Sequence, residues 1–236
     1  QFIADPLDRA DLQLTSCDVL VVGGGIVGCS AAYYLAREGV DVLLVDRDDL
    51  NTQGSGSNAG SMHVMIISRI FKSNDPLLVA GRERLLPLLL QAVGSWHDIA
   101  SDLDCDIELG QTGGLMVAET EAQMRVLESK AKVEKRQGLD VEILTATDLR
   151  NIAPYLSQRI MGAEYCGNEG KVNPILATPA LARRAEAEGA RILRHTELRG
   201  LEPTGNGFQA QTSRGSIVCR RVVNAAGPWA DRLGAM

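Results

Sequence analysis

Asp18-Val19-Leu20-Val21-Val22-Gly23-Gly24-Gly25-Ile26-Val27-Gly28 is a short apolar run that ends in glycines and resumes as an apolar, alanine-rich segment to Leu35. Val42 to Val45 then forms a second apolar run, closed by Asp46. This reads as strand, glycine turn, helix and buried strand, the opening of a βαβ unit. The first glycine of Gly23-x-Gly25-x-x-Gly28 permits a tight turn, the second lets backbone approach a pyrophosphate, and the third lets helix and strand pack closely. Free N–H groups and the helix dipole hold the phosphates. Asp46 stands where a carboxylate can accept hydrogen bonds from the adenosine ribose, while Arg47 beside it keeps a reader of a 2′-phosphate open. The motif calls for a dinucleotide without saying which one.

Composition agrees. The chain has 236 residues, 45% hydrophobic, 23% charged and only 4% aromatic, enough to bury a core in one or two domains. Its net charge of −6 removes the main attraction for a nucleic-acid backbone or an anionic membrane surface. Val19 to Ala36 carries no charge over eighteen residues, but three consecutive glycines inside it favour a buried strand and helix start over a membrane span. No signal peptide is read at the amino end. The five cysteines are widely spread and never Cys-x-x-Cys, which favours a reducing, cytoplasmic setting without structural zinc.

Farther along, Asp48 to Gly60 has the composition of a linker. Asn74-Asp75-Pro76 fits a helix start, with apolar residues at helical spacing to Trp96 and a kink expected at Pro87. Leu115 to Ala118 reads as a strand, and Thr120-Glu121-Ala122-Gln123 as a capping box for a helix with Met124, Leu127 and Ala131 on one face. A helix is expected from Pro179 to Glu188. Arg191 to Leu193, Thr196 to Leu201, Phe208 to Thr212 and Ser216 to Asn224, joined by glycine turns, suggest a small β-meander.

Gly23 to Gly28 with Ala32, Leu35, Gly39, Val42 and Asp46 resembles the glutathione-reductase-type FAD fingerprint. Two further stretches resemble the D-amino acid oxidase family of FAD-dependent oxidoreductases: Gly54-Ser55-Gly56-Ser57-Asn58-Ala59-Gly60-Ser61-Met62-His63 and Val222-Val223-Asn224-Ala225-Ala226-Gly227-Pro228-Trp229-Ala230. Gly170-Lys171-Val172-Asn173-Pro174 keeps the same order, and the likeness runs from Asp18 to the end.

The resemblance implies an α/β fold, a Rossmann-like FAD-binding domain with a second, mixed-sheet substrate domain. The expected boundaries are residues 1–75 and 172–236 for the cofactor and 76–171 for the substrate. The implied cofactor is FAD, with no metal, held by Gly23, Gly25, Ile26, Val27, Gly28, Asp46, Arg47, Gly54, Ser55, Gly56, Asn58, Ala59, Gly60, Ser61, Ala225, Ala226, Gly227 and Trp229. Leu198 would offer its backbone to the adenine. In this family a hydride passes from the substrate's α-carbon to the flavin, so the cofactor carries the chemistry. His63 is the candidate catalytic residue and Met62 the candidate substrate contact. His97 and His195 read as structural.

The implied reaction is oxidation of a C–N bond in an amino acid, opine, imino acid or secondary amine. Oxidation of a C–O bond, in glycerol phosphate or a 2-hydroxy acid, stands as the alternative, and a non-catalytic FAD-binding subunit as another. Expected partners are the small substrate and other subunits of a hetero-oligomeric dehydrogenase, with no nucleic acid and no transmembrane segment. Location at the inner face of a membrane is compatible with that reading. The arginine and tyrosine that usually hold the substrate carboxylate come largely from a C-terminal portion, whereas this sequence stops at Met236, as expected of a fragment or truncated product.

Overall fold

The computed structural model describes residues 12–236. In chain order these form β1 (Leu12–Val22), α1 (Ile26–Arg37), β2 (Val42–Val45), β3 (Ser61–Met62), α2 (Ser68–Phe71), α3 (Pro76–Asp102), β4 (Gly114–Ala118), α4 (Glu121–Arg136), β5 (Val141–Thr145) and α5 (Ala146–Ile152). Then follow β6 (Gly162–Cys166), β7 (Gly170–Lys171), α6 (Pro174–Ala187), β8 (Arg191–Leu193), β9 (Leu198–Thr204), β10 (Gly207–Thr212), β11 (Gly215–Asn224) and α7 (Ala230–Gly234). They divide into two compact units. One runs to Ala59 and adds Leu103–Ile107 and Asn173–Met236; the other is Gly60–Asp102 with Glu108–Val172.

The first unit is built on a six-stranded sheet, ordered β8-β2-β1-β11-β10-β9. Its first four strands run parallel, and β11, β10 and β9 then alternate, so the expected meander continues the dinucleotide sheet. All four residues of β2 are buried, as an interior parallel strand requires. Pro203, which cannot donate to a ladder, is accommodated on the edge strand β9.

Small residues let the helices lie close. The buried stripe of α1 is Gly28, Cys29, Ala32, Tyr33 and Ala36, and it packs on α6, whose buried positions include Ala177, Ala180, Leu181 and Ala185. A core of Leu20, Leu43, Val45, Leu193, Leu198, Ala210 and Ile217 also takes in Leu233 from α7.

Two expectations shift. Helix α6 starts at Pro174, with Asn173 capping it through a hydrogen bond from the Ile175 N–H at 3.0 Å, and Pro179 lies inside. The better start signal is an Asn cap followed by Pro at the first helical position. The Thr196 N–H donates to the Asp46 carbonyl, so β9 begins only at Leu198.

The second unit carries the antiparallel sheet β4-β6-β5. Thr120 and Gln123 form the expected capping box on α4, which buries Leu127 and Ala131. That helix also buries Lys130 and Glu134. The Lys130 ammonium lies 2.8 Å from Glu134 Oε1 and 2.5 Å from Glu164 Oε2, all three side chains being inaccessible. Burying three ionisable groups this deeply requires mutual pairing, because a lone buried charge would lose several kcal/mol of hydration.

Residues 60–75, grouped by the sequence reading with the cofactor domain, lie in this second unit. Ser61 and Met62 pair with Lys171 and Gly170, and Val64, Met65 and Ile66 enter a core with Leu86, Val93 and Val141. Leu103–Ile107 in turn belongs to the first unit. Helix α3 continues through Pro87 to Asp102.

Candidate functional site

The register of the parallel strands aligns three carboxyl ends in one row. Val22 pairs with Val45 on one side and with Asn224 on the other, so Gly23, Asp46 and Ala225 leave the sheet together. Hydrogen bonds continue the alignment past the strands: Gly23 N–H to Val45 O at 2.9 Å, Ala225 N–H to Val22 O at 2.9 Å and Asp46 N–H to Leu193 O at 3.1 Å. The carboxyl ends of strands in an open α/β sheet are where ligands bind.

A cleft of about 560 Å³ opens there, wholly within the first unit. Gly23, Gly25 and Val27 contribute to one wall, Asp46 and Arg47 to another, and Gly54, Ser55, Leu198, Ala225, Ala226, Gly227 and Trp229 to the rest. Four segments far apart in sequence thus meet around one space.

The glycines are sterically required. A Cβ on Gly28 would overlap the Gly23 carbonyl oxygen, and a Cβ on Gly23, which has φ +116°, would overlap the Ala225 carbonyl. The loop therefore touches backbone on two sides. Gly25 caps α1 without a side-chain bond, no acid lies in the first turn, and Ser55 Oγ accepts the Ile26 N–H at 3.0 Å. A twelve-residue helix whose first turn carries no acid suits an anionic ligand. Asn51 Oδ1, also on the cleft lining, is buried with no hydrogen-bond partner among the described residues. A buried acceptor in that condition calls for a donor from a ligand.

Asp46 is braced. Its Oδ2 accepts the Gly24 N–H at 2.5 Å and its Oδ1 the Asp48 N–H at 2.8 Å. The Arg47 guanidinium lies 4.0 Å from the Trp229 ring centroid and 3.4 Å from Asp48 Oδ2, so its charge is engaged by a ring and an acid.

Several sequence candidates lie elsewhere. Ile26 and Gly28 sit behind the lining. Gly56 and Asn58 shape the loop: a Cβ on Gly56 would overlap the Asn51 carbonyl, and the Asn58 amide donates to Gly54 O at 3.0 Å and Ser55 O at 2.7 Å. Ala59 is exposed, ending the first unit. Gly60, Ser61, Met62 and His63 belong to the second unit, where Met62 is buried against Gly170 and the His63 side chain is 74% exposed. His97 bonds Gln111 at 2.8 Å, and the His195 N–H donates to the Asp48 carbonyl, both structural duties.

The sequence reading missed Asn51, Thr52, Gln53, Thr196, Glu197 and Arg232 on the lining. The first three lie inside its polar stretch 48–60, but nothing in their types marks them. Asn51 has φ +64°, a turn conformation that asparagine tolerates.

Among the described residues no His, Cys, Asp or Glu cluster fits a metal, all five cysteines are free, and no helix is long and apolar enough to cross a membrane.

Comparison with known proteins gives a consistent answer. One of the subunits of opine oxidase from Rhizobium meliloti is 29% identical over 223 residues, covering 93% of this chain and 58% of that protein. Glycine oxidase of Geobacillus kaustophilus is 28% identical over 223 residues, covering 92% and 56%. The crystal structure of glycine oxidase from that organism superposes with a TM-score of 0.81 at 27% identity, over 94% of this chain and 58% of the other. A subunit of the anaerobic glycerol-3-phosphate dehydrogenase of Haloferax volcanii is 31% identical over 237 residues, covering 93% and 37%. The chain thus spans little more than half the length of the first two relatives. The family model described as FAD dependent oxidoreductase, DAO, matches residues 18–236, including every segment that lines the cleft, and the chain belongs to that family of flavin enzymes.

Proposed function

We propose that the protein oxidises the C–N bond of an amino acid, opine, imino acid or secondary amine. The observation that carries this reading is that relatives similar over more than nine-tenths of the chain are named for opine and glycine oxidation.

FAD, when bound, supplies a two-electron acceptor. The chain's own residues bind and orient. Gly23 and Gly25 bring backbone to the pyrophosphate, Gly28 lets α1 pack closely on the loop, and the start of α1 supplies its partial positive charge. Asp46, held by Gly24 and Asp48, keeps remaining lone pairs for the ribose hydroxyls. Leu198 offers backbone to the adenine. Asn51 Oδ1 gains a donor. Arg47, occupied by Trp229 and Asp48, flanks the adenosine end and does not select a 2′-phosphate. Ala225 to Gly227 form the opposite wall, shaped by the Ala226 N–H donating to Asn224 Oδ1 at 3.3 Å. Gly54 and Ser55 keep bulk off the cleft lining, and Met62 and His63 are the residues proposed to act on the substrate.

A second reading, oxidation of a C–O bond, is supported by the Haloferax volcanii relative. Anaerobic mixing of the FAD-loaded protein with a panel of amino acids, opines and N-methylated amines, beside glycerol 3-phosphate and 2-hydroxy acids, separates the two. Bleaching of the flavin absorbance by an amine is expected. Bleaching by the hydroxy compounds alone overturns the C–N reading.

A further inference from the structure

The segment that follows the small-residue loop is suspended from a buried carboxylate. Glu169, in the turn between β6 and β7, has a side chain only 7% exposed. Its Oε1 accepts two backbone hydrogen bonds, from the Val64 N–H at 2.9 Å and the Met65 N–H at 3.0 Å. Its Oε2 lies 3.0 Å from His63 Nδ1. Gly114 leaves space for this group, since a Cβ there would overlap Oε2. The carboxylate is thus fixed by backbone on one oxygen and faces the imidazole with the other.

We propose that Glu169 is a positioning residue that locks His63 as the Nδ1–H tautomer and leaves Nε2, on an exposed side chain, as a proton acceptor. A carboxylate offers no proton, so the hydrogen shared with Nδ1 belongs to the ring. In the neutral ring the second nitrogen then carries a lone pair. This deepens the C–N reading and rests on it for its purpose. An amino group loses electrons readily only once it has lost its ammonium proton. That proton passes to His63 Nε2, giving a neutral amine and an imidazolium whose charge the Glu169 carboxylate balances. No other reactant is needed.

Glu169→Gln gives a sharp test. The Val64 and Met65 N–H groups demand the amide oxygen, which turns the amide NH₂ toward His63. Nδ1 must then accept, and the proton moves to Nε2, the inversion of tautomer that disables a histidine base oriented by an acid. Only three histidines are present, so the chain labelled with ¹⁵N-histidine yields resolvable long-range nitrogen–proton spectra. The wild type is expected as Nδ1–H and E169Q as Nε2–H. An Nε2–H wild type, or a folded E169Q with unchanged tautomer, overturns the proposal; the wild-type spectrum decides even if the variant fails to fold.

In the FAD-loaded protein, E169Q should retain the flavin and slow its reduction by an amine about a hundredfold, the scale of a lost general base. Equal reduction rates with an inverted tautomer overturn the proton-accepting role. If no amine reduces the wild-type flavin, the C–N reading fails, and the tautomer alone still decides whether Glu169 positions His63.

Discussion

Asp46 Oδ2 accepts a hydrogen bond from the Gly24 N–H at 2.5 Å, which makes the acid ending β2 and the loop ending β1 one bonded unit. The acid therefore has two duties, bracing the phosphate loop and meeting the ribose, and a substitution affects both.

Asp46→Asn replaces one acceptor oxygen by a donor, so either Gly24 or Asp48 loses its partner. Hydrogen bonds to charged groups contribute about 1.5–3 kcal/mol. The FAD dissociation constant should rise between about tenfold and a hundredfold with the fold intact. Fluorescence titration with FAD measures it; unchanged affinity means that Asp46 touches neither ribose nor a loop that matters.

Gly28→Ala and Gly25→Ala differ in what the new methyl meets. At position 28 it strikes the Gly23 backbone, whereas at 25 it approaches only Ser55 Oγ, at 2.8 Å. Backbone cannot step aside; a serine side chain can. The first variant is expected to lose about 1–3 kcal/mol of stability together with its flavin, as overpacked sites do. The second should stay folded and hold FAD weakly. Thermal unfolding with flavin content after gel filtration distinguishes them, and equal stabilities contradict the assignment.

Glu164→Gln tests the buried trio. Burial, and next the hydrogen bond to Glu134, push the Glu164 carboxyl up to about 8 from 4.5, so the folded chain holds a proton that the unfolded chain releases. The folded state then binds more protons between these values, and its stability falls as pH rises through that window. At about 1.4 kcal/mol per pH unit the effect is of the order of a few kcal/mol. Denaturation at a series of pH values should show this slope in the wild type and its loss in the variant; parallel curves would mean that Glu164 holds no proton there.

Trp229 supplies an optical reporter. The chain has two tryptophans, and Trp229 lines the cleft with Arg47 over its ring. FAD should quench the fluorescence of Trp96→Phe strongly and that of Trp229→Phe little. Arg47→Ala, losing a contribution of about 0.5–1 kcal/mol, should weaken FAD less than tenfold and create no preference for NADPH. Tighter NADPH binding by the wild type would overturn the engagement of Arg47.

The first βαβ unit and its acid were legible because three local signals agreed: a β-branched run, glycines whose need for close approach is written in their spacing, and a carboxylate at the second strand's end. The row of Val22, Val45 and Asn224 was not legible. Strand register joins residues 202 positions apart, and no local preference of Asn224 announces its partner. Glu169 was missed for a related reason. A lone acid after Asn168 looks solvated, and only the fold brings the Val64 and Met65 amides to it. The start of α6 lies five residues before the expected Pro179, at Pro174 behind the Asn173 cap, because the helix tolerates a proline in its interior.

β1 lies between β2 and β11, one translated at once and the other only after some 170 further residues. On the ribosome β1 therefore waits as an edge strand with an unpaired flank, the kind of surface that recruits foreign strands. Closing so distant a pair carries a loop-entropy cost that slows folding. Because β11 also delivers Ala225 and Gly227, the nascent protein cannot close around its cofactor until the vulnerable edge is covered. Acquisition of yellow colour would then mark the moment at which a newly made molecule ceases to be prone to aggregation.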